Sequence, residues 1–213
     1  MKKKSLYIFD MDGTLFNTLG DLSAAVNYAL GAFGLKPLST EKIRSYIGNG
    51  SLKLIERSLE GANVPLADVH RTYSEYYAHH CLNATEPYPG VIEFLKTFPA
   101  KKALATNKPH TPGLAILRHF GIESCFDALA FGDEDTPRKP DAAPFFKILE
   151  KTAIPQNEAV MIGDDAPDIL GAQNAGIDSV FIESGFGKRE SFFPVEPTYS
   201  IKHFFDLKNL QFH

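Results

Sequence analysis

The sequence predicts an α/β fold in which helices cover both faces of a parallel β-sheet and a helical segment is inserted after the first strand. Short, continuously apolar runs recur along most of the chain, and helix-length segments separate the later runs. Strands buried on both faces have this continuous apolar pattern, and their alternation with helices is typical of a Rossmann-like sheet. A third observation is a stretch of roughly 70 residues with helical periodicity and no strand pattern, which predicts the insertion.

Five apolar runs predict the strands of the sheet. They are Ser5–Phe9, Lys102–Thr106, Phe126–Phe131, Ala159–Ile162 and Asp178–Ile182. Helix signals follow the later runs: Thr111 and Pro112 fit the N-cap and first position of one helix, which Gly121 ends. A second helix is predicted over 143–152 and a third over 167–175, where Gly176 ends it. Short links between these elements predict parallel strands joined by helical crossovers.

The helical insertion covers residues 16–85. Apolar residues from Leu22 to Phe33 recur at the i, i+3, i+4 spacing of a helix, and Gly34 ends that run. Further helices are predicted around 52–59 and 69–77. The sequence therefore predicts an α/β core domain formed by residues 1–15 and 86–213, and a small α-helical domain formed by residues 16–85.

Composition and charge exclude several classes of function. Lys and Arg number 22 against 26 Asp and Glu, a formal charge of −4, so no basic excess attracts nucleic acid or an anionic membrane. The two cysteines are too few for a disulfide framework or a cysteine-rich zinc site. No apolar run reaches the roughly 20 residues of a membrane span or the length of a secretory signal core. We expect a cytoplasmic protein with no nucleic-acid or membrane partner; the sequence does not indicate its oligomeric state.

Polar residues follow four of the predicted strands. In chain order they are Asp10 and Asp12, then Thr106 and Asn107, then Lys139, and finally Asp164 with Asp168 one helical turn later. Because the carboxyl ends of parallel strands meet at one edge of a sheet, we expect these residues to line one crevice. Each has a plainer interpretation when taken singly: a solvated turn for Asp10 and Asp12, a surface lysine for Lys139, and a helix N-cap for Asp165 with Asp168. Their joint order favours a site.

These residues match the motifs of a known superfamily. The matching segments are Asp10-Met-Asp-Gly-Thr14, Thr106, Lys139-Pro140 and Gly163-Asp164 with Asp168, together with Tyr88–Val91, Thr106–Pro109, Arg138–Asp141 and Gly171–Gly176. On them the sequence resembles the haloacid dehalogenase-like (HAD) hydrolases, and within these the phosphoglycolate phosphatase-like branch, over residues 5–187. The resemblance implies that the helical insertion is the family's small cap domain, which covers the crevice. One departure is Asn17-Thr18, where an Asp-Ser or Asp-Thr pair is frequent.

The resemblance implies a Mg²⁺-dependent phosphatase that hydrolyses a small phosphorylated metabolite, with 2-phosphoglycolate as the suggested substrate. Asp10 would attack phosphorus and form an aspartyl-phosphate. Asp12 would protonate the leaving alkoxide and then activate the water that hydrolyses the intermediate. A pyrophosphatase or a phosphosugar mutase on the same core is an alternative, and so is a binding or regulatory module that kept the fold without catalysis.

The resemblance also implies ligands for the metal and for the phosphoryl group. Mg²⁺ would be held by Asp10, Asp164 and the backbone carbonyl of Asp12, because this hard cation prefers oxygen ligands. Asp168 would either hydrogen-bond to the direct ligands of the ion or bind the ion through a water molecule. The residues expected to bind the phosphoryl group are Thr106, Asn107 and Lys139.

Two features of the insertion are candidates for contact with the rest of the substrate. Gly48-Asn49-Gly50 resembles turns that present a loop to the active site; an ordinary turn between helices is the alternative. Arg44 could pair with a substrate carboxylate, since a guanidinium binds a carboxylate through two parallel hydrogen bonds. Its alternative is a solvated arginine on a helix surface, and the sequence leaves both questions open.

Overall fold

The computed structural model describes residues 4–133 and 137–212. The strands are β1 (Leu6–Phe9), β2 (Phe16–Asn17), β3 (Glu86–Pro87), β4 (Lys101–Ala105), β5 (Ala128–Ala130), β6 (Ala159–Gly163), β7 (Asp178–Ile182) and β8 (Tyr199–Ile201). The α-helices are α1 (Leu19–Ala32), α2 (Thr40–Arg44), α3 (Ser51–Ser58), α4 (Leu66–His80), α5 (Val91–Thr97), α6 (His110–His119), α7 (Ala143–Thr152) and α8 (Ala166–Ala175).

The sheet is parallel, and its first strand is central. Within the described residues, six strands pair in the order β5-β4-β1-β6-β7-β8, while β2 and β3 form a short antiparallel ribbon. Side chains of β1 alternate between the two faces: Tyr7 and Phe9 belong to one buried apolar cluster, and Leu6 and Ile8 to another. Both faces of the sheet are therefore covered, which confirms the predicted Rossmann-like α/β fold.

Each predicted strand is present, and the differences lie in short elements. β8 and the β2–β3 ribbon have only two or three residues per strand, too few for a recognisable apolar pattern. The prediction that Thr111 caps its helix was wrong, because α6 begins at His110. The backbone N–H of His110 donates to Asp133 Oδ1 at 2.7 Å, so a carboxylate distant in sequence satisfies this end of the helix.

Helices α1 to α4 pack around an apolar cluster of their own, built from residues such as Leu22, Val26, Ile55, Val69 and Tyr73. The sequence pattern predicts no strand in this insertion, yet β2 lies at its start and pairs with β3 just beyond its end. The ribbon forms because the entering and leaving chains run side by side. Among the helices of the described residues, none is long and apolar enough to cross a membrane.

A buried carboxylate on α1 holds the chain where it returns from the insertion to the sheet. Asp21 is 3% exposed. Its two oxygens accept hydrogen bonds from the backbone N–H of Ala84 at 2.9 and 3.0 Å, and Asp21 Oδ2 accepts from the N–H and hydroxyl of Thr85 at 2.9 and 2.8 Å. These bonds fix the start of the return segment against α1.

Asp21→Ala is expected to lower the free energy of unfolding by about 2–4 kcal/mol, because the two buried donors of Thr85 and the partly buried N–H of Ala84 lose a charged acceptor together. Denaturant unfolding monitored by circular dichroism measures the loss. The control is Asp68→Ala on α4, where the exposed carboxylate pairs with Arg71 at 2.9 Å, and that loss should stay below about 1 kcal/mol. Equal losses in the two variants would contradict the role given to Asp21.

Candidate active site

A cavity lies at the carboxyl end of the sheet, between the sheet and the helical insertion. It measures about 560 Å³, counted with the space open to solvent at its mouth. The sheet side contributes Asp10, Asp12, Thr106, Asn107 and Asp164 to its wall, and the insertion contributes Gly48, Gly50, Leu54 and Tyr77. Residues predicted from three of the four strand ends therefore meet at this cavity, because β1 lies between β4 and β6 and the three strands end at the same edge.

Three carboxylates form a cluster that could hold a metal ion. Asp10, Asp164 and Asp168 each place an oxygen within 4.8 Å of the others. Asp10 Oδ1 is buried and accepts no hydrogen bond of acceptable geometry from the described residues. Burial raises the pKa of Asp10 to about 6, although the Lys139 ammonium opposes that rise. Burial likewise raises the pKa of Asp164 well above its usual range. An all-oxygen cluster that resists ionisation without a cation fits a hard divalent metal.

Asp164 is held rigidly by its neighbours. The Thr14 hydroxyl donates to Asp164 Oδ1 at 2.6 Å, and the backbone N–H of Phe186 donates to Oδ2 at 2.7 Å. The side chain is 1% exposed. The loop after β7 therefore helps to hold this carboxylate, together with the residues that follow β1. The strand-end pattern did not reveal the contacts of Asp164 with Thr14 and Phe186.

Asp168 is occupied by other partners. Its Oδ1 accepts from Lys139 Nζ at 2.6 Å, and its Oδ2 accepts from the backbone N–H groups of Asp164 and Asp165, both at 3.1 Å. Asp165 and Asp168 form a capping box at the start of α8, which confirms the predicted helix cap. With both oxygens engaged, Asp168 is less free to ligate a metal directly than Asp10 or Asp164.

Lys139 is a buried residue, so its interpretation as a surface lysine was wrong. Its side chain is 2% exposed, and Nζ lies 3.0 Å from Asp10 Oδ1 and 2.6 Å from Asp168 Oδ1. Burial alone would lower the pKa of Lys139, but the two carboxylates outweigh burial and raise it to about 12. A permanent positive charge therefore lies directly beside Asp10.

Asp12 belongs to a second charged group, separate from the three-carboxylate cluster. Asp12 Oδ1 accepts from the Thr18 hydroxyl at 2.7 Å and from Lys108 Nζ at 2.9 Å, and Oδ2 lies 3.2 Å from the same ammonium. Lys108 Nζ also donates to the Tyr77 hydroxyl on α4 at 2.7 Å. Lys108 stood in the strand-end run after Thr106, but sequence reasoning gave it no role.

Thr106 and Asn107 line the cavity, yet Asn107 also joins the insertion to the sheet. Thr106 is 5% exposed, and its hydroxyl accepts from the backbone N–H of Lys108 at 3.2 Å. The amide nitrogen of Asn107 donates to the carbonyls of Gly48 and Lys139, both at 2.9 Å. This amide therefore holds the turn of the insertion against the sheet, whereas the Thr106 hydroxyl can still donate its own proton.

Of the two candidate features of the insertion, the turn at 48–50 reaches the cavity wall and Arg44 does not. Gly48 and Gly50 line the cavity, and both have positive φ. A Cβ on Gly48 would collide with the Asp165 carboxylate, and the φ of +111° at Gly48 disfavours any residue with a side chain. Asn49 accepts from Arg57 at 2.8 Å and is not part of the wall. Arg44 also lies outside the wall: it donates to the carbonyls of Gly185 and Phe186 on the loop after β7.

Comparison with known proteins gives a consistent result. A family model described as haloacid dehalogenase-like hydrolase matches residues 7–182. The phosphoglycolate phosphatase of Psychrobacter arcticus is 35% identical to the chain, over 94% of this chain and 93% of that protein. The phosphoglycolate phosphatase of Agrobacterium fabrum is 32% identical, over 85% and 81% of the two chains. The crystal structure of a predicted phosphoglycolate phosphatase from Haemophilus somnus superposes with a TM-score of 0.91 at 29% identity, over 98% of both chains.

Proposed function

The chain belongs to the haloacid dehalogenase-like hydrolases, and we propose that it is a Mg²⁺-dependent phosphatase that hydrolyses 2-phosphoglycolate through an aspartyl-phosphate on Asp10. The observation that carries the proposal is the meeting of Asp10, Asp12, Thr106 and Asp164 around one cavity, with Lys139 beside Asp10. The substrate is suggested by relatives that carry the name phosphoglycolate phosphatase.

In the first step, an oxygen of Asp10 attacks phosphorus while the bond from phosphorus to the ester oxygen breaks. Asp12 in its acid form gives its proton to that oxygen, so glycolate leaves as an alcohol. In the second step, Asp12 takes a proton from water as the water oxygen bonds to phosphorus and the Asp10–phosphorus bond breaks. Inorganic phosphate is released, and both carboxylates return to their starting state.

The other residues position and neutralise the phosphoryl group. Lys139 and the Thr106 hydroxyl would donate to its oxygens, and Lys139 offsets the negative charge of Asp10. Mg²⁺ would be held by Asp10, Asp164 and the backbone carbonyl of Asp12. Asp168 would orient Lys139. When bound, Mg²⁺ supplies Lewis-acid stabilisation of the charge that develops on the phosphoryl oxygens.

We also propose that residues 16–85 form a cap domain over the crevice, with residues 1–15 and 86–213 as the core. Gly48, Gly50, Leu54 and Tyr77 of this segment line the same cavity as Asp10, a position that would exclude water during the reaction. The partner is then a small phosphorylated metabolite. A cytoplasmic location stays a prediction, and so does substrate contact by Asn49 or Arg44.

Phosphate release from a panel of substrates tests the proposed function. The panel contains 2-phosphoglycolate, other small phosphate esters, a sugar phosphate and pyrophosphate, each with and without Mg²⁺. We expect Mg²⁺-dependent release with the highest kcat/KM for 2-phosphoglycolate, on the order of 10⁴ M⁻¹s⁻¹ or more. Faster turnover of pyrophosphate would support a pyrophosphatase. Isomerisation of the sugar phosphate without phosphate release would support a mutase, and the absence of turnover on every substrate would support a binding module.

Mg²⁺ is expected to raise the melting temperature more at pH 8 than at pH 5. Burial raises the folded-state pKa of Asp10 to about 6, above the usual value of 3.8, so the metal-free protein is more stable with Asp10 protonated and loses that contribution as pH rises through about 6. Mg²⁺ binds the ionised carboxylates and offsets this loss. At a hundredfold excess over its Kd, Mg²⁺ should raise Tm by about 5–10 °C at pH 8 and by less than about 2 °C at pH 5.

Differential scanning fluorimetry measures these shifts, and Asp164→Asn is the matched variant because it removes one proposed ligand without changing the size of the side chain. Asp164→Asn should lose the Mg²⁺ shift at both pH values. A Tm shift that is independent of pH, or that survives in Asp164→Asn, would argue against the proposed metal site.

A further inference from the structure

The wall of the cavity is rich in negative charge and poor in positive charge. Four carboxylates belong to it: Asp10, Asp12, Asp164 and Asp165. Among the described residues of the wall, Lys108 carries the one positive charge. The other nearby ammonium, that of Lys139, is not part of the wall and is paired with Asp10 and Asp168.

We propose that Lys108 is the residue that selects substrates with a carboxylate next to the phosphoester. Its ammonium would pair with the substrate carboxylate at the cavity wall, beside Asp12. This inference deepens the proposed function and rests on it, because it assumes that Asp12 faces the ester oxygen of the substrate.

The position of Lys108 relative to Asp12 supports the pairing. Nζ lies 2.9 and 3.2 Å from the two oxygens of Asp12. In the proposed reaction Asp12 contacts the ester oxygen of the substrate. The Lys108 ammonium, which contacts Asp12, would then lie about one contact distance further along the substrate than that oxygen. In 2-phosphoglycolate a single carbon separates the ester oxygen from the carboxylate. That carboxylate therefore falls within reach of Lys108, whereas a group several bonds away would lie beyond it.

The Tyr77 hydroxyl fixes the ammonium and offers a second donor. It accepts from Lys108 Nζ at 2.7 Å, and the ammonium also lies 4.7 Å from the centre of the Tyr77 ring. Burial raises the pKa of Tyr77 well above its usual range, so the hydroxyl keeps its proton and can donate it. One oxygen of a bound carboxylate would then meet Lys108 and the other Tyr77.

Among the described residues, the rest of the wall that the insertion contributes carries no second cation. Leu22, Ile47 and Leu54 are apolar, and Ser51 and Tyr73 offer only hydroxyl groups. Arg44, the residue that the sequence suggested for this role, is not part of the wall and donates instead to the carbonyls of Gly185 and Phe186. A substrate carboxylate bound here without Lys108 would be desolvated and unpaired, and binding of that kind is strongly unfavourable.

A pair of substrates of equal size tests the inference. One is 2-phosphoglycolate and the other is its amide, in which a neutral carboxamide replaces the carboxylate. In the unmodified protein, kcat/KM should favour the carboxylate by about 10- to 100-fold, the range expected for a charge-assisted hydrogen bond. In Lys108→Met the preference should fall to about onefold to threefold, whatever the absolute rates, because the variant has lost the charge that distinguishes the two substrates.

Two variants on α4 extend the test without removing a charge. Tyr77→Phe should reduce the preference by about 3- to 10-fold, since one hydrogen bond to Lys108 is lost. Tyr76→Phe is the control, because the Tyr76 ring stacks on Tyr28 with 4.1 Å between ring centres and is not part of the cavity wall. This variant should prefer the carboxylate substrate as strongly as the unmodified protein does. If Lys108→Met does not fold, Tyr77→Phe decides the question.

The outcomes separate the inference from the proposed function. An unchanged preference in Lys108→Met and Tyr77→Phe, with both substrates still hydrolysed, overturns the inference and leaves the phosphatase intact; Lys108 then serves Asp12 alone. Hydrolysis of neither substrate by the unmodified protein overturns the proposed function, and the inference falls with it.

Discussion

Asp10→Asn is expected to lower kcat for 2-phosphoglycolate by at least about 10⁴-fold, because the neutral amide oxygen is a poor nucleophile and the covalent intermediate proposed on Asp10 can no longer form. The geometry makes the loss specific. Asp10 follows the central strand β1, and its neighbours Lys139 and Asp164 are held by contacts that do not depend on it. Far-ultraviolet circular dichroism should therefore be unchanged in the variant.

Two measurements check the expectation for Asp10. Steady-state phosphate release gives kcat, and acid quenching with labelled substrate detects the aspartyl-phosphate, which should form in the unmodified protein and be absent from Asp10→Asn. Asp141→Asn is the control, because the exposed carboxylate of Asp141 caps the chain just before α7 at 2.8 Å from the N–H of Ala143. A value of kcat within tenfold of the unmodified protein in Asp10→Asn would refute the nucleophile.

Lys139→Met is expected to affect both stability and activity. The substitution leaves Asp10 and Asp168 buried without their cation, which should cost about 3–5 kcal/mol in the metal-free protein. If Lys139 is the proposed donor to the phosphoryl group, its loss should lower kcat/KM by about 10²–10³-fold in the presence of Mg²⁺. Denaturant unfolding and steady-state kinetics measure the two effects separately.

Two further variants define what the Lys139 result means. Lys101→Met removes an exposed ammonium that donates to the carbonyl of Thr152 at 2.7 Å, and should cost less than about 1 kcal/mol with unchanged activity. Adding Asp168→Asn to Lys139→Met should restore at least about 1 kcal/mol, since one of the unpaired charges is then gone. A stability loss below about 1 kcal/mol in Lys139→Met would mean that the buried pairing contributes little.

The sheet was predictable because its signals are local. The continuous apolar runs of β1, β4, β6 and β7 follow from burial on both faces, and residues at the ends of parallel strands must meet once the sheet forms. The positions of Asp10, Thr106 and Asp164 followed from that rule alone. β8 and the start of α6 were not predictable, because pairing with β7 and the carboxylate of Asp133 determine them.

The contacts between the insertion and the sheet could not be predicted from the sequence. Lys108 and Tyr77 are 31 residues apart, and Asn107 and Gly48 are 59 apart. No periodicity or spacing indicates which side chains of the insertion and of the sheet meet. The same limit explains Arg44: the sequence shows a cation on a helix, but only the packed structure reveals that backbone carbonyls of the loop after β7 already engage it.

Because Asp168 is engaged on both oxygens, the first turn of α8 and Lys139 form one cooperative unit. The same carboxylate accepts from the N–H groups of Asp164 and Asp165 and from Lys139. Fraying of this turn would release the lysine and loosen the backbone of Asp164 in a single event. Hydrogen exchange at those two amides thus reports how often the molecule opens into a form that cannot turn over, and a mutation that destabilises the start of α8 acts on catalysis from outside the cavity.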